Sequence, residues 1–307
     1  MVIINSSSSS VNNLINKWLT TLQSNNKASE HDFEILDNSN ISLDLERLWQ
    51  LMDQVWDEMD CDNVNLDLKK ISAYYQHPIW LLNGFFVEQH DVSLQHRHGI
   101  ADWIVQTSLQ RILDFGGGFG TLARIICDKV EQASVDIYEP YPSREALFLS
   151  QDYPRLRFVS DLDSGYDCLV STDVLEHVPD PLALFAKMIA AVRRDGYLLI
   201  ANHFYPSIKC HLPSTFHFRY SFDQFAEAMG LEKIGTCPHA THATIYQKVS
   251  EQPLNWRRIR SMEANSQLLF PWREFDSQHL GVWRARFKRL VTDPSGTFRR
   301  ACLWLER

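Results

Sequence analysis

The rhythm of apolar positions changes once along this chain. From about residue 41 the hydrophobic residues recur at three- and four-residue steps. Leu45, Leu48, Trp49, Met52, Val55, Trp56 and Met59 fall on one face of a helix, with Ser42 as the expected N-cap and Asp44 complementing the helix dipole. Residues 71–90 and 92–109 read as further helices, punctuated at His77-Pro78 and Asn83-Gly84, and no strand is expected before residue 110. The pattern predicts a helical N-terminal region over residues 11–108, preceded by a serine-rich, disordered lead-in over residues 1–10.

Beyond residue 110 the pattern becomes an alternation. Short apolar runs at 111–115, 134–138, 156–159, 166–171 and 196–201 have the length of strands. Helical stretches lie between most of them, such as 121–130 and 182–194. The second has Asp180 as N-cap, Pro181 at its first position and Asp195-Gly196 at its exit. Ser221 and Gln224 form a capping-box pattern, and Gly230 suits a C-terminal turn. Residues 231–237 and 243–249 read as two closing strands around the loop 238–242. Strand, helix, strand repeated predicts an α/β fold with a parallel sheet covered by helices. The main domain is expected over residues 109–250, followed by a Trp/Arg-rich C-terminal extension over 251–307, where residues 281–290 have the look of an amphipathic helix.

Charge and cysteine usage narrow the class. The net charge of −8 gives no general attraction to nucleic acid or acidic membranes. The extension differs: its 11 lysines and arginines against 6 acids give +5, which leaves −13 for the remainder. The extension therefore reads either as a nucleic-acid surface or, the reading preferred, as an appendage docking on the acidic body or on a second subunit in a homodimer. Six scattered cysteines without a C-x-x-C argue against a disulfide scaffold and against a structural zinc site, and point to a reducing, cytoplasmic setting. The N-terminus lacks the pattern of a secretory signal, and no apolar run reaches the ~18 residues of a membrane span.

Chemistry concentrates at the strand ends. Asp114 ends the first strand, and Gly116, Gly117, Gly118 and Gly120 follow it, so that D-x-G-x-G-x-G leads into a helix. Bare backbone there lets N–H groups approach a ligand closely. Gly118, Gly120 and Ala123 also fit the G-x-G-x-x-A of a dinucleotide site, which keeps a nicotinamide-dependent oxidoreductase open. An acid beside the loop suits a cofactor that carries positive charge better than a pyrophosphate.

The stretch ILDFGGGFG resembles the first motif of class I S-adenosylmethionine-dependent methyltransferases. Residues 166–181 resemble the fourth-strand motif of the subgroup that includes quinone-biosynthesis methyltransferases, and the resemblance extends over about residues 95–250. It implies a Rossmann-like, seven-stranded, mainly parallel sheet with an antiparallel last strand, a helical N-terminal lid region, and S-adenosylmethionine as cofactor. It further implies that Asp114, the glycines and Glu139 with Pro140 hold the cofactor, Glu139 through both ribose hydroxyls. Asp161 with Leu162 would lie near the adenine, and Thr172 and Asp173 would complete the edge. Arg97 would meet the carboxylate of the methionine end. The lid would contribute Tyr74, Tyr75, Trp80 and Phe86 to a small-molecule acceptor pocket, together with His211 and His239.

An acceptor that must lose a proton needs a base, and His177, His203 and His217 are the candidates. A metal-assisted variant, acting on a quinone precursor or an RNA end, would use Glu176, His177 and His217 as ligands. It stands beside the metal-free reading, as does a non-catalytic binding subunit. The expected activity is transfer of a methyl group to an oxygen or nitrogen of a small molecule, in the manner of natural-product biosynthesis.

Overall fold

The computed structural model describes residues 44–280. Ser42, the lead-in, the beginning of the N-terminal region, and the tail with Trp283 and Trp304 lie outside the described residues. The chain divides into two units: residues 44–216 with 223–254, and residues 217–222 with 255–280.

Four helices open the first unit: α1 (Leu45–Glu58), α2 (Leu68–Tyr75), α3 (Ile79–Val87) and α4 (Asp91–Thr107). Helix α1 is capped by Asp44, whose carboxylate accepts the Arg47 N–H at 2.8 Å, two residues beyond the expected cap. It buries Leu48, Met52, Val55 and Trp56, the face its spacing predicts. Asn83-Gly84 is not a break but lies inside α3. A Cβ on Gly84 would stand 2.4 Å from the Phe119 ring, so this glycine marks a close approach and not a turn. Leu48, Trp56, Tyr74 and Ile79 form the core of this layer, and Ile208 and Cys210 from far along the chain pack into it.

The sheet contains β1 (Arg111–Phe115), β2 (Ser134–Tyr138), β3 (Leu156–Val159), β4 (Tyr166–Thr172), β5 (Val192–Ala201), β6 (Leu231–Cys237) and β7 (Ala240–Lys248), in the order β3-β2-β1-β4-β5-β7-β6. Strands β1 to β5 are parallel, and β7 runs antiparallel to both β5 and β6. Helices α5 (Thr121–Lys129), α6 (Arg144–Ser150) and α7 (Pro181–Ala191) make connections, and α8 (Phe222–Ala228) precedes β6. Parallel strands are covered on both faces and so read as near-continuous apolar runs. Ile112, Leu113, Val170 and Leu199 are accordingly all buried, and Ile100, Ile104 and Ile126 pack against this layer.

Two boundaries differ from the sequence pattern. Strand β5 begins at Val192, opposite Tyr166, and its register shifts before Tyr197 pairs with Cys168. Asp195, at φ 62°, lies in that irregularity, so Asp195-Gly196 interrupts the pairing of the strand instead of separating it from the helix. Strand β7 starts at Ala240, which places Thr241 and His242 in the strand and reduces the connection to Pro238-His239. His239 is left-handed there, at φ 61°.

The second unit contains α9 (Trp256–Phe275), capped by Asn255 and carrying Pro271 within it. Ser221 does not serve simply as a cap: its hydroxyl donates to the His217 carbonyl at 3.0 Å and shares a hydrogen bond with Ser266 at 2.7 Å. Arg219 pairs with Glu274 at 3.2 Å. Among the described residues no helix is long and apolar enough to cross a membrane.

Candidate active site

Strand order reverses beside β1: the chain runs outward to β2 and β3, then returns to place β4 on the other side. A crevice beyond the carboxyl ends of such strands is where open α/β sheets bind ligands. Register puts the acids on that edge. Phe115 lies opposite both Tyr138 and Ser171, and Thr172 lies opposite Ala201. Asp114, Glu139, Asp173 and His203 thus fall within one or two residues of one line across the sheet, and Asp161 follows the end of β3 in the same way.

Asp114 is 4% exposed, and its Oδ2 has no hydrogen-bond partner among the described residues. Burial pushes its carboxyl up to about 7; the Arg97 charge opposes this, and the Glu139 charge adds to it. Gly116 follows at φ 72°, where a Cβ would stand 2.4 Å from Val174. Gly118, at φ 50°, has nothing within 4 Å of a built Cβ, so the loop presents open backbone at that point. The Gly118 N–H donates to Glu139 Oε2 at 3.0 Å, and the Tyr141 N–H donates to Oε1 at 3.1 Å. Burial still raises the Glu139 pKa against those two hydrogen bonds. A buried acid with an unpaired oxygen, open glycine backbone and a second acid held at the loop fit a cationic nucleoside better than a pyrophosphate.

The remaining residues of the edge are more exposed. Pro140 and Asp161 face solvent, Leu162 and Thr172 are half-buried, and Asp161 accepts the Ser160 hydroxyl at 2.9 Å. Asp173 has φ 55° and donates its N–H to the Ala201 carbonyl at 2.9 Å. Desolvation by the surrounding protein raises its pKa, while Arg97, His203 and His96 oppose the rise. Arg97 is fixed by a hydrogen bond from Nη1 to the Ser93 carbonyl at 3.0 Å, and burial lowers its pKa against the charges of Asp114 and Asp173.

A buried ion pair ties the helical layer to the glycine loop. Arg124, 8% exposed, pairs with Glu88 of the segment after α3 and donates to the Phe119 carbonyl at 2.7 Å. The four aromatic residues expected in the acceptor pocket separate into two pairs. Tyr74 and Phe86 belong to the core of the helical layer, with the Tyr74 hydroxyl directed to the Met52 carbonyl. Tyr75 and Trp80 are half-buried and face His177, with ring centroids 6.0 and 6.4 Å from it. The Trp80 Nε1 is buried without a partner among the described residues.

Opposite these rings lies a cluster on the β4 and β5 exits. Glu176 is fully buried; its Oε1 accepts the His203 N–H at 2.6 Å, and its Oε2 has no partner among the described residues. Burial, with the Asp173 charge second, raises its carboxyl to about 8. His177 Nδ1 faces the Cys210 carbonyl at 3.2 Å, and His211 Nδ1 faces the Tyr205 carbonyl at 2.7 Å. A carbonyl only accepts, so each Nδ1 carries the proton and each Nε2 keeps its lone pair. Burial lowers His177 to about 3 and His211 to about 4, so both rings are neutral at ordinary pH. Their ring centroids are 4.8 Å apart, and His203, bonded through Nε2 to the Ser207 hydroxyl at 2.6 Å, lies 5.7 Å from His211.

The loop carrying His211 is held from both sides. The Leu212 N–H donates to the Glu176 carbonyl at 2.9 Å. From helix α1, Asp53 accepts the Lys209 N–H at 2.7 Å, and Asn63, beyond that helix, donates to the Lys209 carbonyl at 2.9 Å. No local motif announces these anchors: they join residues about 150 positions apart.

Two further expected residues complete the set. His239 occupies the β6–β7 turn, where a Cβ on Gly99 would lie 3.0 Å from its own Cβ. His217 belongs to the second unit, bonded through Nδ1 to Ser266 at 3.0 Å, with burial lowering its pKa to about 4. The side chain that joins Glu176 and His177 is therefore His211, not the His217 of the expected ligand set.

Sheet order and the matching family model together make this chain a member of the class I S-adenosylmethionine-dependent methyltransferases. The family model described as a methyltransferase domain matches residues 89–258, and the chain belongs to that family. A curated relative, the ubiquinone biosynthesis O-methyltransferase of Nitrosomonas europaea, is 23% identical over 155 residues. That match covers 47% of this chain and 66% of the relative's length, just under two thirds. Among solved structures, the 1,6-didemethyltoxoflavin-N1-methyltransferase of Burkholderia thailandensis, solved with bound 1,6-didemethyltoxoflavin and S-adenosylhomocysteine, is 18% identical at a TM-score of 0.39, covering 52% of this chain and 80% of its own. An O-methyltransferase from neocarzinostatin biosynthesis, solved with S-adenosylmethionine and 2-hydroxy-5-methyl naphthoic acid, is 18% identical at a TM-score of 0.44, covering 64% and 60%.

Proposed function

We propose that the chain transfers a methyl group from S-adenosylmethionine to an oxygen atom of a small molecule. Its acceptor would sit between Tyr75, Trp80 and the histidines at positions 177 and 211. The observation that carries this reading is the pair of neutral imidazoles, each with Nδ1 tied to a backbone carbonyl and Nε2 left as an acceptor. A hydroxyl approaching an electrophilic carbon has to shed its proton, and acceptor atoms in fixed positions orient it for that. The oxygen specificity in the name of the ubiquinone relative supports the same choice.

The bound cofactor supplies an electrophilic methyl on a sulfonium sulfur. The residues that would hold it are those of the glycine edge. The two oxygens of Glu139 now accept N–H groups and would take the ribose hydroxyls, with Pro140 beside them. Asp114, Gly116, Gly117, Gly118 and Gly120 would line the loop. Asp161 and Leu162 would flank the base, and Thr172, Asp173 and Arg97 would serve the amino-acid end. The helical layer α1–α4 would act as the cap. His177 and His203 are the candidates for receiving the acceptor's proton, and the His217 candidate lies in the second unit. A specialised small molecule of a biosynthetic pathway is the expected acceptor class.

The test is transfer of radiolabelled methyl from S-adenosylmethionine across matched phenols, alcohols and amines. Oxygen-methylated products, lost in His177→Ala and in His211→Asn, are the expected result. Exclusive methylation of amines would overturn the choice of oxygen.

A further inference from the structure

Helix α4 and strand β7 each turn a histidine toward the other. The His96 and His242 rings pack with centroids 4.3 Å apart and planes inclined by 47°. Neither ring makes a hydrogen bond among the described residues. We propose that this pair binds the carboxylate of an acidic methyl acceptor.

Position is the first support. Strand β7 runs antiparallel to β5, with Thr244 opposite Ile200. Two residues further along that register, His242 lies beside Asn202, where β5 gives way to His203. The pair therefore stands on the ligand edge, on the opposite side of β4 from Glu139. A molecule reaching outward from the cofactor across β4 would meet it.

Unused donor capacity is the second. An imidazole that serves only the fold normally ties its nitrogens to protein groups. Here His96 is half-buried and His242 exposed, so the pair is open to a ligand.

Electrostatics is the third. Burial, then the charges of Arg97 and His90, hold His96 below the ordinary imidazole range, and Asp173 opposes them. Burial, then His96 and Arg97, do the same for His242. A bound anion offsets these repulsions and favours the protonated ring, whose N–H bond to a carboxylate is charge-assisted.

Two carboxylates could claim the pair: the one at the cofactor's methionine end and one on the acceptor. Arg97 interacts with both Asp114 of β1 and Asp173, whereas the only acid that acts on His96 is Asp173, beyond β4. The histidines thus belong to the acceptor side. This assignment rests on the methyl-transfer reading.

The experiment offers the full chain a panel of hydroxybenzoates, hydroxyphenylacetates and hydroxycinnamates, each with its carboxamide. Methyl transfer from S-adenosylmethionine is read alongside calorimetric binding to the chain loaded with S-adenosylhomocysteine. The expected result is an acid preferred over its amide by about tenfold or more in kcat/KM. That ratio should fall to about one in His96→Leu and in His242→Leu, with amide turnover and S-adenosylhomocysteine affinity kept. His242→Arg restores a cation and should keep the preference, which a packing role would not give. No acid bound, acids no better than amides, or a preference unchanged in both leucine variants overturns the subsite. Loss of S-adenosylhomocysteine affinity in the leucine variants would assign the pair to the cofactor's carboxylate and overturn it equally. Acid binding that depends on both histidines, without turnover of any panel member, keeps the subsite and counts against the methyl-transfer reading instead.

Discussion

The two ends of the ligand edge are built by different means. At the β1–β2 end the contacts are mainly backbone: the loop Gly116–Gly120 and two acids one strand apart, all contributed by a 26-residue segment from Asp114 to Glu139. At the β4–β5 end the contacts are side chains: Glu176 and His177 from one exit, and His211 from a loop pinned by Asp53 and Asn63. The first end is specified locally and needs little support. The second depends on the helical layer to hold its histidine loop. A mutation in α1 should therefore reach the histidine end without disturbing the glycine end.

The largest expected effect breaks the cofactor end alone. Glu139→Ala removes two acceptor atoms worth ~1.5 kcal/mol each as charge-assisted hydrogen bonds, so affinity for S-adenosylhomocysteine falls on the order of 100-fold by calorimetry. Unfolding midpoints should stay near wild type, because Glu139 is only half-buried. Next comes Gly116→Ala. A left-handed backbone at φ 72° and a Cβ 2.4 Å from Val174 together cost about 2 kcal/mol of stability, read by urea unfolding. The same change in the open Gly118 should cost less stability, because nothing lies within 4 Å of its Cβ.

A smaller effect sharpens the contrast through pH. Asp114 titrates near 7, far above an ordinary carboxylate. In the ligand-free protein the folded state holds this proton where the unfolded chain has lost it. The Asp114 contribution to stability therefore declines as pH rises from the usual carboxylate value to about 7. A ligand amino cation favours the ionised acid, so S-adenosylhomocysteine affinity should rise about tenfold from pH 6 to pH 8. Asp114→Asn should flatten that profile. The smallest effect belongs to Asp53→Ala, which releases the Lys209 N–H and costs about 1 kcal/mol. It should raise the KM for the acceptor and leave S-adenosylhomocysteine affinity unchanged; an equal loss of both would remove the distinction between the two ends.

What could be read in advance follows the same division. Strand runs, the Asp180-Pro181 helix start and the acids at strand ends are local patterns, and the folded chain carries them where the spacing places them. Positions where the structure departs from the local pattern depend on distant partners. Gly84 looked like a break because its close neighbour, Phe119, is 35 residues away. Tyr74 and Phe86 have the residue types of a pocket lining, and the apolar face of α1 packs with them in the helical core. His211 and His217 could not be told apart from spacing. Only the fold of residues 203–212 against α1 and Glu176 sets His211 beside His177.

If the proposed site is right, the glycine end holds the cofactor independently of the histidine cluster. Calorimetric titration of S-adenosylhomocysteine into the wild-type chain, Glu139→Ala and His211→Asn separates the two ends. Affinity should fall on the order of 100-fold in Glu139→Ala and stay unchanged within about twofold in His211→Asn. Equal losses in both variants, or full affinity in Glu139→Ala, would contradict it.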